Sequence, residues 1–367
     1  MSTKKDKFSK KDKLFMKIAL NLARTKDGLT GSNPSVGCVI VKNDKIISIG
    51  RTSDNGRPHA EYNAIQNCVD DLENSKIYVT LEPCCHYGLT PPCTKLIIKS
   101  KIGEVIYSVS DIDKRVKNKS LKILRSKGIF VKKGLLEKEV RDFYYPYFYN
   151  RKKKQPFVTG KIAVSKNNLI YSRANKKITN SYSDKFTHFL RYKNDSILIT
   201  YKTLNKDDPK LNCRLKGFSK YSPTRIILDD KLQTKLKSYI IKTANYKNTI
   251  IFYNKAEKSK VSNFKKKKII LIKTKKNQNK FDIKIILRKL YNLGHRNLLI
   301  EGGDILTNSL IKDKIFNRFY LFKSPKNLSK SSEHLNFNSL NLLNQKYTKR
   351  INLNLNLRKD KITLYTD

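Results

Sequence analysis

The apolar positions of this chain follow two periods, and the switches between them predict its elements. Leu14, Phe15, Ile18, Ala19 and Leu22 recur at helical spacing, which predicts an amphipathic helix over residues 11–24. Gly28 to Asn33 reads as a loop. Residues 36–41 and 46–50 read as a hairpin around Asn43-Asp44. Ala64, Ile65 and Cys68 continue a helical pattern that opens at Pro58, with His59 in its first turn. Residues 77–81 read as a buried strand, ended by Glu82-Pro83-Cys84. Leu96 and Ile97 belong to another helical run, which Cys93 opens behind Pro91-Pro92. A strand over 105–109, a short helix over 121–127 stopped by Gly128 and a strand over 129–131 follow. Strands alternate with helices, so residues 1–145 read as a three-layer α/β sandwich.

An aromatic run from Phe143 to Tyr149, then Arg151 and Lys152 to Lys154, marks a junction. It reads as an aromatic helix end packing between domains, followed by a solvated linker. This divides the chain into domains 1–149 and 150–367, with new regular structure from Gln155-Pro156. Strands are predicted over 157–165, 197–200, 224–228, 248–253, 269–272 and 297–300, and helices over 179–190, 282–292 and 305–311. The lysines of 265–268 and 275–280 read mostly as solvated charge. Isoleucine and leucine alternate strictly with asparagine over 351–357, which predicts a strand buried on one face, paired with 362–365.

Length fits two domains, since the chain has 367 residues. No run of eighteen apolar residues is present, so no membrane-spanning helix is expected. Residues 1–13 are Lys-rich without an apolar core, which argues against a signal peptide. Six cysteines without a regular framework fit a reducing, cytoplasmic setting. The net charge of +49 would suit a nucleic-acid partner. The lysines are spread over the whole chain, however, beside abundant Asn, Ile and Tyr. That is a global compositional drift, not one basic face, so no specific nucleic-acid partner is expected. The charge should help attract phosphorylated small molecules. Homo-oligomerisation is left open.

The chemistry gathers at His59-Ala60-Glu61, Pro83-Cys84-Cys85 and Cys93. One His and two Cys are soft-metal ligands that leave a fourth tetrahedral position open for water. A carboxylate beside them that is not a ligand completes the inventory of zinc-dependent hydrolytic deamination. His59 and Cys93 at helix starts, with Cys84 at a strand end, would meet on one sheet edge. Cys84 and Cys93 enclose eight residues, against two in the usual deaminase spacing. Two doublings of loop length cost roughly 1.2 kcal/mol, small beside the roughly 10–16 kcal/mol with which structural zinc binds. Cys85 is the alternative ligand, though adjacent residues of an extended turn point apart. His86 reads as a pocket residue. Ser110 to Asp113 either shapes the pocket or forms an Asx-capped turn. Glycines between a strand and a helix, as at Gly302-Gly303, suit a phosphate.

The stretches Thr80 to Cys93 and Asn33 to Val41 closely resemble the bifunctional deaminase/reductase family of riboflavin biosynthesis. Cys85 stands where that family usually has Ser. Residues 155–315 resemble its reductase half at Ile178-Thr179, at His188 to Arg191, at Thr203 to Leu211 with Arg214, at Arg225 to Asp229, and at Ile300 to Gly303. The resemblance implies a cytidine-deaminase-like N-terminal domain and a dihydrofolate-reductase-like α/β C-terminal domain. It implies Zn2+ on His59, Cys84 and Cys93, with Glu61 catalytic. It also implies NADPH at Val164, Lys177, Thr203, Asp207, Gly303, Asp304 and Ile305. Arg191, Leu211, Arg214 and Glu301 would contact a phosphorylated pyrimidine substrate. The turn Ser165 to Asn168 departs from the family's S-L-D-G, and Lys177 stands where many members have Trp. A deaminase whose reductase has decayed is one alternative. A tRNA deaminase is another, but it would lack the long loop and the second domain.

Overall fold

The structure is a computed structural model that describes residues 8–173, 177–277, 280–330 and 333–367. Residues 1–7 and 278–279, within stretches read above from their lysines, lie outside the described residues. The chain divides into two compact units, residues 1–154 and 155–367.

The first unit runs α1 (Lys10–Lys26), β1 (Gly37–Lys42), β2 (Lys45–Arg51), α2 (Ala60–Gln66), β3 (Lys76–Leu81), α3 (Cys93–Lys99), β4 (Glu104–Val109), α4 (Lys119–Arg125), β5 (Phe130–Lys133), α5 (Glu137–Phe143) and α6 (Tyr145–Lys153). Its sheet has the order β2-β1-β3-β4-β5. Asn43 and Asp44 both take positive φ, as a two-residue hairpin turn requires. Helix α1 covers one sheet face through Phe15, Met16 and Ala19 against Val39, Val41 and Tyr78. Helices α2, α3 and α4 cover the other through Ala60, Ala64, Ile97 and Leu124 against Cys38, Ile40, Val79 and Tyr107. This is the expected three-layer arrangement.

Three local expectations are corrected. The buried face of α1 is Phe15, Met16, Ala19, Leu20 and Ala23, whereas Leu14 is 54% exposed. The stripe is turned by about one position because small Ala19 and Ala23 let the helix lie close on β1. The stretch Arg151–Lys153 is the last turn of α6, not a linker, so the unit boundary falls after Lys154 rather than Tyr149. The aromatics pack inside this unit: Tyr144 is buried and its hydroxyl donates to the Ser35 carbonyl at 2.9 Å.

The second unit runs β6 (Phe157–Val164), β7 (Leu169–Ser172), α7 (Ser181–Tyr192), β8 (Ser196–Thr200), α8 (Tyr201–Asp207), β9 (Thr224–Leu228), α9 (Tyr239–Lys242), β10 (Thr249–Tyr253), α10 (Lys258–Lys266) and β11 (Ile270–Lys273). It continues through β12 (Lys276–Asn277), β13 (Lys280–Phe281), α11 (Ile283–Asn292), β14 (Asn297–Ile300), α12 (Asp304–Lys312), β15 (Arg318–Lys323), β16 (His334–Asn336), α13 (Leu340–Lys346), β17 (Lys349–Asn352) and β18 (Lys361–Thr366). The main sheet has the order β11-β10-β9-β8-β14-β6-β15-β18-β17. It is parallel from β11 to β15, and β18 and β17 are antiparallel. Apolar clusters fill both faces, one with α11 and α12, the other with α7, α8 and α10.

The alternating stretch 351–357 does not form the expected half-buried strand. Pairing with β18 covers only Lys349–Asn352, and Ile351 and Leu355 are exposed. The stretch leaves the sheet after Asn352, and only Leu357, with Leu353 partly, packs into the core. The departing turn is well formed: Asn168 takes φ +59°, and Ser165 Oγ accepts from the Leu169 amide at 2.9 Å.

Two glycines set how closely the first unit's helices approach. A Cβ on Gly37 would lie 1.8 Å from the Ala19 carbonyl oxygen, and one on Gly50 2.2 Å from that of Ala60. Gly50→Ala should therefore push α2 off the hairpin and destabilise the first unit by about 3 kcal/mol. Urea denaturation followed by far-ultraviolet circular dichroism should show one transition shifted and the other in place.

Candidate metal centre and dinucleotide cavity

His59 is the N-cap residue of α2, one position before the first turn where the sequence placed it. Cys84 follows β3, and Cys93 is the first residue of α3. Their ligating atoms all lie within 4.8 Å of one another. The His59 Nδ1 is 3.6 Å from Cys84 Sγ and 3.4 Å from Cys93 Sγ. Zinc bonds of about 2.3 Å to sulfur and about 2.0 Å to nitrogen put tetrahedral N and S about 3.5 Å apart, so these residues fit zinc. Cys85 turns away, its thiol donating to the Arg115 carbonyl at 3.4 Å.

The surroundings fix this trio. The Cys93 amide donates to Cys84 Sγ at 3.3 Å, and the Thr94 amide to the Cys84 carbonyl at 3.1 Å. Hydrogen bonding with Cys93, joined by His59, holds the Cys84 thiol well below its ordinary range. That direction favours the thiolate, the form that ligates metals. Glu82 is buried and accepts from the Asn118 amide at 3.1 Å and the Asp111 amide at 3.3 Å. It thereby ties the 111–118 loop to the end of β3. In that loop Asp111 and Asp113 cap backbone amides at 3.0 Å, the Asx-turn geometry. Glu61 is 3% exposed. Burial pushes its carboxyl up in pKa, and the neighbouring His59 offsets part of that. His86 keeps Nδ1 buried with no hydrogen-bond partner among the described residues.

The second unit holds a cavity of about 1200 Å³ at the carboxyl ends of β8, β9 and β14. Thr203, Asp207, Leu211, Arg191, Glu301, Gly303, Asp304 and Ile305 line it. Three expected residues stand off its wall. Val164 is fully buried, Lys177 is exposed and pairs with Asp184 at 2.8 Å, and Arg214 donates to Asn212 Oδ1 at 2.9 Å. Arg191 and Glu301 bind each other in a two-pronged pair, with Nε–Oε1 and Nη2–Oε2 both 2.9 Å. Burial raises the Glu301 pKa, but the Arg191 guanidinium outweighs it and brings it to about 2. Gly303 is the N-cap residue of α12, a helix end whose dipole favours a phosphate. The Asp304 carboxylate is engaged by Ser339.

Comparison with known proteins matches each unit. The family described as the cytidine and deoxycytidylate deaminase zinc-binding region covers residues 9–109. The RibD C-terminal domain covers residues 168–365. The riboflavin biosynthesis protein RibD of Aquifex aeolicus is 35% identical over 317 residues, 86% of this chain and 87% of the relative. The chain belongs to the RibD family. That of Actinobacillus pleuropneumoniae is 33% identical over 85% of this chain and 83% of the relative. Among solved structures, a diaminohydroxyphosphoribosylaminopyrimidine deaminase/5-amino-6-(5-phosphoribosylamino)uracil reductase of Thermotoga maritima superposes with TM-score 0.81. It is 28% identical, over 97% of this chain and 98% of its own. Acinetobacter baumannii RibD gives 0.82 at 25% identity, over 97% and 99%.

This RibD-family chain is thus a bifunctional deaminase and reductase of riboflavin biosynthesis. Its cofactors are zinc and a reduced nicotinamide dinucleotide. The zinc-binding match contains His59, Glu61, Cys84 and Cys93. Among the described residues no helix is long and apolar enough to cross a membrane.

Sequence reasoning missed Lys161, which lines the cavity from the middle of β6. Burial pushes its ammonium down in pKa, and Nζ lies 4.9 Å from the centre of the Phe322 ring. The available signal was a charge inside an otherwise apolar central strand.

Breaking the Arg191–Glu301 pair should strand a buried charge. Arg191→Met is expected to destabilise the second unit by about 3–5 kcal/mol, and the double change Arg191→Met/Glu301→Leu to recover most of that. Urea denaturation at pH 7 measures both. Because the pair depresses the carboxyl, its contribution is present above pH 4.5 and fades as pH falls toward about 2.

Proposed function

We propose that the first unit removes the C2 amino group of 2,5-diamino-6-(5-phosphoribosylamino)pyrimidin-4-one by hydrolysis. The second unit then uses NADPH to reduce the ribosyl chain of the product to ribityl. The observation that carries the first step is the trio His59, Cys84 and Cys93, with Glu61 buried against it. These three residues would hold the zinc. When bound, zinc makes a water nucleophilic near neutral pH. Glu61 takes a proton from the attacking water and delivers one to the departing amine, so that ammonia leaves and the ring carbon becomes a carbonyl. A buried carboxyl with a raised pKa suits both directions of that transfer.

For the second step, Thr203 and Asp207 are assigned to NADPH, with the backbone of Gly303, Asp304 and Ile305 at its phosphates. Arg191, Leu211 and Glu301, which line the cavity, are assigned to the substrate; Arg214, off the wall, is assigned to its phosphate on the family resemblance alone. When bound, NADPH would supply the hydride for that reduction. Val164 and Lys177, also expected at NADPH, stand off the cavity wall like Arg214. The six cysteines are free. Two of them must stay reduced to hold metal, which suits the cytosol.

Zinc content and ammonia release of purified variants test the first step. Glu61→Gln should keep its zinc and lose about 10²–10⁴-fold in deamination. Cys93→Ala should lose the metal, and Cys85→Ala should keep it. Near-normal turnover in Glu61→Gln would remove Glu61 from the chemistry.

A further inference from the structure

Arg57 lies two residues before His59 and is half-buried. Its Nη1 donates to the hydroxyl of Thr90, and a Cβ on Gly88 would lie 3.4 Å from its Nη2. The guanidinium is therefore held between the two segments that bring ligands to the metal centre: the approach to His59, and the loop from Cys84 to Cys93. From Cys85 to Pro92 that loop carries no Lys, Arg, Asp or Glu. Nearby, Lys95 donates to the Tyr87 hydroxyl at 2.6 Å, and two other charges are paired with opposite ones. Asp54 binds Lys26 at 2.5 Å, and Arg115 grips Asp113 at 2.6 Å. Among the described residues no carboxylate forms an ion pair with Arg57; its one recorded side-chain partner is the neutral hydroxyl of Thr90.

A half-buried cation with only a neutral partner is complementary to an anion, and the planar fork of Arg matches phosphate oxygens. We infer that Arg57 binds the 5-phosphate of the deaminase substrate and sets the first unit's preference for phosphorylated pyrimidines. This rests on the deaminase reading above. With the reacting ring over the trio, the phosphate is the substrate's distal end, one ribosylamino group away. Arg57 lies outside the ligand set, beside Gly88 and Thr90 of the loop that ends at Cys93. The bond to Thr90 occupies Nη1 and points the guanidinium, while the rest of the fork remains for the phosphate.

The test measures ammonia release by the zinc-loaded full chain from the phosphorylated substrate and from its dephosphorylated counterpart. Arg57→Ala and Arg57→Gln should raise KM for the phosphorylated substrate by about tenfold or more, the fold-change of one charge-assisted hydrogen bond. Their kcat should change little, and KM for the dephosphorylated substrate should not move. Arg57→Lys should recover part of the loss. Inorganic phosphate should inhibit the wild type competitively and the Ala variant far less. An equal loss on both substrates, or a Gln variant that behaves as wild type, would make Arg57 a latch for the loop and overturn the inference. Wild-type protein that releases ammonia from neither substrate would instead sink the deaminase reading, and this inference with it.

Discussion

The metal centre depends on how closely α2 can lie against the β1–β2 hairpin. That approach works because position 50 has no side chain: the Ala60 carbonyl and the Ala64 amide occupy the space a Cβ would need. Ala60 and Ala64 are themselves small and fully buried. The consequence is positional. His59, the cap of that helix, is brought to the carboxyl end of β3, where Cys84 emerges, and α3 starts at Cys93 beside it. Three ligands separated by up to 34 residues converge because three segment ends are pinned by packing that contains no ligand. Glu82 extends the same logic, since its buried carboxyl holds the 111–118 loop against the strand end.

The second unit solves a different problem, which is to keep a large cavity open beside a parallel sheet. The loops after β8, β9 and β14 all leave on one edge, as parallel strands require. Arg191 from α7 and Glu301 after β14 lock across that edge. Each charge is costly to bury alone and tolerable when paired in two-pronged geometry. The pair therefore stiffens the cavity wall and keeps a carboxylate ionised in an apolar setting. The high positive charge of the chain plays no part in this geometry. It is spread over solvent-facing lysines and bears on the long-range attraction of anionic ligands.

Much of this was legible in the sequence, for local reasons. The trio could be read because prolines, a strand end and two helix starts punctuate the segments that carry it, and because the ligand types are chemically specific. The hairpin could be read because Asn43-Asp44 suits positive φ. What could not be read depended on partners distant in sequence or on the placement of layers. Arg191 and Glu301 are 110 residues apart, so each looked like an independent substrate contact. The face of α1 was misplaced because Leu14 looks more apolar than Ala23, while the sheet selects for close approach. The alternation over 351–357 promised a half-buried strand, but the ladder with β18 ends at Asn352 and only Leu357 and Leu353 turn toward the core. Lys161 passed unnoticed because it sits inside a strand that was read only for its apolar residues.

The central claim is that both chemistries reside on this one chain and act in the order deamination, then reduction. The most direct measurement is a two-stage assay on the purified, zinc-loaded protein. The diaminopyrimidinone ribosylamino phosphate is added first and ammonia is followed; NADPH is then added and its oxidation is followed at 340 nm, the usual nicotinamide band. The account predicts ammonia release without NADPH, then NADPH oxidation in proportion to the ammonia already formed. NADPH oxidation in a variant that releases no ammonia, with the same diamino substrate, would contradict it.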